Sequence, residues 1–219
     1  MVTPALALLH TSPVHVPVFE ELRDEDHPGV ALRHLVHEEL LARARAEGSD
    51  AVAGAVQELL QRAAADGASA VLCTCSTIGG VAESAAAAVG VPVLRVDRPM
   101  AAAAVAAGRS VAVVATVAST LGPTVALVEE EAARAGHPVD VTTVLVDGAW
   151  ECFTAGDHEG YVDRIVAAVD ALDGVDAVLL AQASMASAAD RTTLRAPVLS
   201  SPRLGLRAAV DRCGAGVTS

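Results

Sequence analysis

The chain carries a near-copy of itself. "DGASAVLCTCSTIG", residues 66–79, returns as "DGVDAVLLAQASMA", residues 173–186, with Asp, Gly, Ala, Val and Leu in step, Thr77 against Ser184 and Ile78 against Met185. At a shift of about 105 residues, "LALLHTS" from Leu6 meets "VAVVATV" from Val111, bringing Thr11 opposite Thr116, and "VPVL" from Val91 meets "APVL" from Ala196. Three segment ends repeated in one order at nearly one offset predict two lobes on a common plan. The expected division is 1–97 plus 200–219 for the first lobe and 98–199 for the second, and a chain of 219 residues accommodates both.

Within each copy, short aliphatic or β-branched runs alternate with Ala-rich amphipathic stretches. Strands are expected at 5–10, 29–36, 69–74, 91–96, 110–115, 139–146, 175–181 and 196–200. Helices are expected at 14–24, 38–65, 78–89, 98–107, 118–135, 158–172, 185–190 and 203–212. Gly67, Gly90, Gly108, Gly136 and Gly174 punctuate the helix-to-strand passages. This alternation predicts the α/β class, with two pseudo-symmetric, open parallel-sheet lobes of Rossmann-like or flavodoxin-like form. Open sheets of this kind carry their functional loops at the carboxyl ends of the strands, so an active-site cleft is expected between the lobes. Cys75 and Gln182 are then equivalent strand-end residues.

Composition removes several classes of function. A formal charge of −12, with Phe19, Trp150, Phe153 and Tyr161 as the whole aromatic complement, argues against nucleic acid as a partner. No apolar stretch reaches the length of a membrane span, and "MVTPALALLH" lacks a basic leader, so no membrane association and a cytoplasmic location are expected. The sequence has no lysine, which excludes a lysine Schiff base and a P-loop lysine; no cofactor is expected. Cys73, Cys75, Cys152 and Cys213 lack the companion spacings of a zinc site, and "HLVHEE", residues 34–39, matches neither zincin order, so no metal is expected.

The chemistry-bearing residues gather at the strand ends. A cysteine reacts as its thiolate, a form favoured beside the positive end of a helix dipole. Ser76 or Thr77 is the expected N-cap of a helix starting near Ile78, which puts Cys75 in that position. Cys73 shares its side of the strand but lies deeper and reads as a small buried hydrophobe. Cys152 and Cys213 have no such context. Gly79 and Gly80 permit close backbone approach, either to a ligand or for packing of helix on strand. Thr11, Ser12, Thr116, Ser119 and Thr120 can bind carboxylate oxygens or cap helices. His10, His15 and His37 are candidate proton donors or simply exposed side chains, and Asp97 is a hinge, a cap or a catalytic acid.

"CST" at 75–77, "LAQASMA" at 180–186 and "VAVVATVASTLGPTV" at 111–125 together resemble motifs of the aspartate/glutamate/hydantoin racemase superfamily. The resemblance implies a cofactor-independent enzyme in which paired cysteines, one from each lobe, exchange the α-proton of a small-molecule carboxylate substrate; it also suggests a homodimer. Cys75 takes the first cysteine position, and Gln182 stands where the second belongs. A primary amide neither takes nor gives a proton near neutral pH, so Gln182 orients or polarises. The expected function is a racemase- or epimerase-like isomerase with Cys75 as single thiol base or nucleophile. Ser184, a histidine or water returns the proton, and Ser76, Thr77 and Ala183 join the strand-end hydroxyls in binding substrate. The alternatives are a single-cysteine lyase resembling arylmalonate decarboxylase, or a small-molecule binding protein without activity.

Overall fold

A computed structural model describes residues 5–215. The chain divides into two compact units, the first ending at Val96 and resuming at Pro202, the second running from Asp97 to Ser201.

The first unit runs β1 (Ala5–His10), α1 (His15–Asp26), β2 (Ala31–Val36), α2 (Glu38–Glu47), α3 (Ala53–Ala65), β3 (Ala70–Cys73), α4 (Ser76–Ser84), α5 (Ala86–Val89) and β4 (Val93–Arg95). Its strands form one parallel sheet in the order β2-β1-β3-β4. The central strands, ALALLH and AVLC, are apolar at nearly every position because helices cover both faces. The two-residue period of the strand sorts their side chains. Ala7, Leu9, Val71 and Cys73 enter a core with Leu40, Val56, Leu60 and Ile78, whereas Leu6, Leu8, Ala70 and Leu72 meet Phe19 and Val96.

The helix expected over 38–65 is two helices. Gly48 adopts φ +92°, a backbone region that side-chain-bearing residues avoid, and a 3-10 turn at Ser49–Val52 follows before α3 begins.

The second unit runs α6 (Arg98–Ala107), β5 (Ser110–Ala115), α7 (Ala118–Ala135), β6 (Asp140–Leu145), α8 (Ala149–Thr154), α9 (His158–Asp170), β7 (Ala177–Leu180), a 3-10 turn (Ala183–Met185), α10 (Ala186–Ala189) and β8 (Val198–Ser200). Its parallel sheet has the order β6-β5-β7-β8, the same permutation as in the first unit. Asp176 fastens the amino end of this sheet, accepting the backbone N–H groups of Arg109 at 2.7 Å and Ser110 at 2.8 Å. Gly108 makes room for it, since a Cβ there would lie 2.4 Å from the Asp176 Cβ. Helix α8 is absent from the sequence expectation; it follows Gly148, at φ +72°, and stacks Trp150 on Phe153.

Finally α11 (Ser201–Ala215) returns the chain to the first unit. Leu206, Ala209 and Cys213 complete the core around Leu6, Leu8 and Leu72, and Arg203 pairs with Glu25 and Asp26 of α1. All eight strands fall within about two residues of their expected bounds. Among the described residues no helix is long and apolar enough to cross a membrane.

Candidate active site

At the carboxyl end of the first sheet, β3 stops at Cys73 and α4 starts at Ser76. Cys75 itself is the N-cap, in extended conformation at φ −110° and ψ 115°, and its side chain makes no capping hydrogen bond. The expected capping by Ser76 or Thr77 is therefore corrected: both lie inside the first turn, where a serine or threonine hydroxyl is one step too late to cap. The Cys75 thiol is half-buried, packed on one side against the Leu9, Cys73 and Ile78 core. Cys73 is wholly buried, and its thiol donates to the Cys75 carbonyl at 3.7 Å. Gly79 is a packing position: a Cβ there would approach the Arg95 Cβ to 3.0 Å, so the glycine lets the buried Arg95 side chain lie across α4.

Thr11 and Ser12 occupy the turn after β1, Thr11 buried and Ser12 half-buried. His10 is fully buried rather than exposed, because its even-numbered position points it between α1 and β3, where its Nδ1 meets the Thr74 hydroxyl at 2.8 Å. Burial, reinforced by nearby His34 and His15, lowers its pKa to about 3, so His10 is a neutral imidazole and no proton-donating imidazolium near neutrality. Burial also lowers His15. His37 contacts Glu39 on the surface. Asp97 is fully buried at the N-cap of α6 without bonding that helix's backbone from its side chain.

In the second unit the residue equivalent to Cys75 is in the same local setting. Gln182 follows β7 in extended conformation at φ −126° and ψ 140° and is the N-cap of the 3-10 turn. Its side-chain oxygen accepts three bonds from the turn after β5: the Thr116 N–H at 2.7 Å, the Thr116 hydroxyl at 3.0 Å and the Val117 N–H at 3.3 Å. Since the oxygen must face these donors, the planar amide turns its NH2 group the other way. Ser184, two residues further on, meets the Tyr161 hydroxyl at 2.8 Å, and Tyr161 in turn lies 3.4 Å from the Thr116 hydroxyl. Burial raises the Tyr161 pKa, opposed by its bonds to Ser184 and Thr116. Ala183 sits between Gln182 and Ser184, half-buried. Ser119 is exposed and Thr120 buried inside α7.

The candidates thus form two groups, each at the carboxyl end of one sheet: Thr11, Ser12, Cys75, Ser76 and Thr77, and then Thr116, Ser119, Thr120, Gln182, Ala183 and Ser184. Tyr161, which ties Thr116 to Ser184, was missed from sequence. The available signal was the crowding of Trp150, Phe153 and Tyr161 into one short stretch of an aromatic-poor chain. Among the described residues no cluster of three or more His, Cys, Asp or Glu could hold a metal ion.

This repeated strand–cysteine–helix and strand–glutamine–turn arrangement has relatives. The Asp/Glu/Hydantoin racemase family model matches residues 15–209, and the chain belongs to that family. Among solved structures, it is similar to aspartate racemase of Picrophilus torridus, with a TM-score of 0.73 and 16% identity over 96% of this chain and 94% of that one. Allantoin racemase from Klebsiella pneumoniae is similar with a TM-score of 0.64 and 16% identity, over 97% and 89% of the two chains. Arylmalonate decarboxylase is similar with a TM-score of 0.63 and 19% identity, over 97% and 94%. At these identities the likeness is one of fold. Comparison with curated proteins finds no match.

Proposed function

We propose that the protein is a cofactor-independent isomerase that racemises or epimerises a small 2-substituted carboxylate or related carbonyl compound, with Cys75 as its single thiol base or nucleophile. The observation that carries this reading is the contrast between equivalent positions: a half-buried thiol at the N-cap of α4, and an amide whose oxygen is already committed to Thr116 and Val117. Carried over from the family resemblance is the expectation that both strand ends serve one substrate. The Cys75 thiolate removes the α-proton, and the C–H electron pair passes into the adjacent carbonyl as an enolate. The backbone N–H groups of the first turn of α4 point toward the helix N-terminus, a direction suited to the oxygen that gains charge. Gln182 offers its NH2 as a neutral donor to a carboxylate. Return of a proton to the opposite face is assigned to the Ser184 hydroxyl, which recovers a proton from the Tyr161 hydroxyl at 2.8 Å; solvent then reprotonates Tyr161 and takes up the proton held by the Cys75 thiol.

A lyase reading is favoured by one specific observation, the non-titrating amide at the position of a second base. Loss of carbon dioxide leaves the C–C electron pair on the α-carbon without any base. The Cys75 thiol then gives its proton to that carbon, and the resulting thiolate is reprotonated by solvent.

Incubation in deuterated water with amino acids, hydantoins and 2-substituted malonates separates the readings. α-Deuteration with loss of optical purity, absent from Cys75→Ala, supports the isomerase. Carbon dioxide release with the same dependence supports the lyase. Ligand binding with neither reaction overturns both and leaves a binding protein.

A further inference from the structure

On the side of the first sheet opposite the Cys73–Cys75 core, polar side chains from four elements form a continuous file. Glu20 Oε1 on α1 lies 2.9 Å from His34 Nε2 on β2, and His34 Nδ1 lies 2.8 Å from His10 Nε2 on β1. His10 Nδ1 lies 2.8 Å from Thr74 Oγ1, which follows β3, and the Thr74 oxygen lies 3.1 Å from the Leu9 carbonyl. The two imidazole rings stack with centroids 5.1 Å apart. The file grades from the surface inward, the Glu20 side chain being 38% exposed, His34 14%, and His10 fully buried.

Counting hydrogens along this file gives two consistent states. With Glu20 ionised and both imidazoles neutral, the Thr74 hydroxyl must donate to His10 Nδ1, His10 Nε2–H to His34 Nδ1, and His34 Nε2–H to Glu20. The Leu9 carbonyl then receives nothing from the hydroxyl. Adding one proton to the His34–Glu20 pair reverses the direction. His34 Nδ1–H donates to His10 Nε2, His10 Nδ1–H donates to Thr74, and the Thr74 hydroxyl donates to the Leu9 carbonyl, which already accepts the Thr74 N–H at 3.0 Å. All the contacts are filled only in this second state. His10 stays neutral in both, as its burial requires.

We propose that the Glu20–His34–His10–Thr74 file is a one-proton switch, in which protonation of the His34–Glu20 pair exchanges the tautomer of His10 and swings the Thr74 hydroxyl between His10 and the Leu9 carbonyl. Thr74 is the residue before Cys75, so the switch sets how firmly the start of the cysteine turn is fastened to β1. His10 is a positioning residue, acting on Cys75 through Thr74. The switch itself stands independently of the proposed function; only its consequence for catalysis rests on that reading.

Other ionisable groups meet the file. On α1, His15 faces His10, and Arg23 pairs with Glu20 while also bonding Asp24 and the Val30 carbonyl. On β2, Arg33 turns away to the Asp66 carbonyl. On α11, the buried Cys213 thiol shares the core that holds Phe19, and burial pushes it up to about 11, so it remains uncharged.

The test is 15N NMR of labelled histidine across roughly pH 5 to 8, where imidazoles ordinarily titrate. His10 is expected to remain neutral while its hydrogen moves from Nδ1 at low pH to Nε2 at high pH, through one midpoint. His34→Gln abolishes the exchange. Alkylation of Cys75, followed in a Cys152→Ser background, carries an inflection at the same midpoint that His34→Gln removes. A single His10 tautomer throughout, or an alkylation profile that His34→Gln leaves unchanged, overturns the proposal. Should His34→Gln fail to fold, Glu20→Gln removes the carboxylate that His34 Nε2 meets and lowers the midpoint of the tautomer exchange; an unmoved midpoint also overturns it. Tautomer exchange in a protein that turns over none of the substrates above supports the switch and counts against the proposed function alone.

Discussion

The side-chain oxygen of Gln182 lies 2.7 Å from the backbone nitrogen of Thr116, shorter than the 2.9 Å from the Ala181 nitrogen to the Val114 carbonyl oxygen beside it. The glutamine therefore has a structural duty at the end of β5. The turn that opens α7 is held from the end of β7, the adjacent strand, through this single acceptor.

Removing that acceptor has a defined cost. Gln182→Ala leaves the Thr116 N–H, the Thr116 hydroxyl and the Val117 N–H without their partner, and stability is expected to fall by about 1–3 kcal/mol. Gln182→Glu keeps an oxygen in place and is expected to retain most of it. Urea midpoints of the two variants check the difference, and equal midpoints would remove Gln182 from its role as acceptor.

The two neighbouring thiols are expected to separate cleanly. Cys75→Ala, at a half-buried N-cap, should abolish turnover with little change in stability. Cys73→Ala, at a fully buried core position, should cost about 1 kcal/mol and keep turnover. Parallel melting curves and assays of both variants decide it; loss of activity in the Cys73 variant alone would reverse the assignment.

His10 makes stability depend on pH in a calculable direction. Its pKa falls from 6.5 in the unfolded reference to about 3 in the fold, so between those values the unfolded chain binds the extra proton. Its contribution is complete above about pH 6.5 and is lost as pH falls toward 3, at up to about 1.4 kcal/mol per unit. From pH 7 to pH 5 the wild type should lose about 2 kcal/mol that His10→Gln does not. Denaturant titrations at both pH values measure this, and identical slopes for the two proteins would contradict the buried neutral imidazole.

Two glycines should respond oppositely to the same change. Gly205→Ala puts a Cβ 2.5 Å from the Val96 carbonyl oxygen, a backbone atom with little freedom to yield, and is expected to cost about 1–3 kcal/mol. Gly54→Ala, inside α3 with nothing within 4 Å, is expected to stabilise by about 0.5–1 kcal/mol. Thermal midpoints of the pair provide the comparison.

The strands were legible because β1, β3, β5 and β7 are covered on both faces and so read as unbroken apolar runs. The repeat also made the equivalence of Cys75 and Gln182 visible. What Gln182 bonds was not, since Thr116 reaches it only through the register that sets Val114 beside Leu180. The His10–Thr74 contact is hidden for the same reason: it depends on Leu9 lying opposite Cys73 across strands far apart in sequence. The break at Gly48 was masked by helix-forming residues on both sides, and α8 is too short, at six residues, to display a period.

Helix α11 carries a consequence for how the molecule is made. The second unit is one uninterrupted segment, whereas the first needs Leu206, Ala209 and Cys213 from the end of the described chain to cover Leu6, Leu8 and Leu72. During vectorial synthesis on the ribosome, the later unit can finish folding while the earlier one still waits with a bare aliphatic face. Through that interval the nascent chain exposes apolar surface of the kind that favours aggregation, and the exposure ends as α11 emerges.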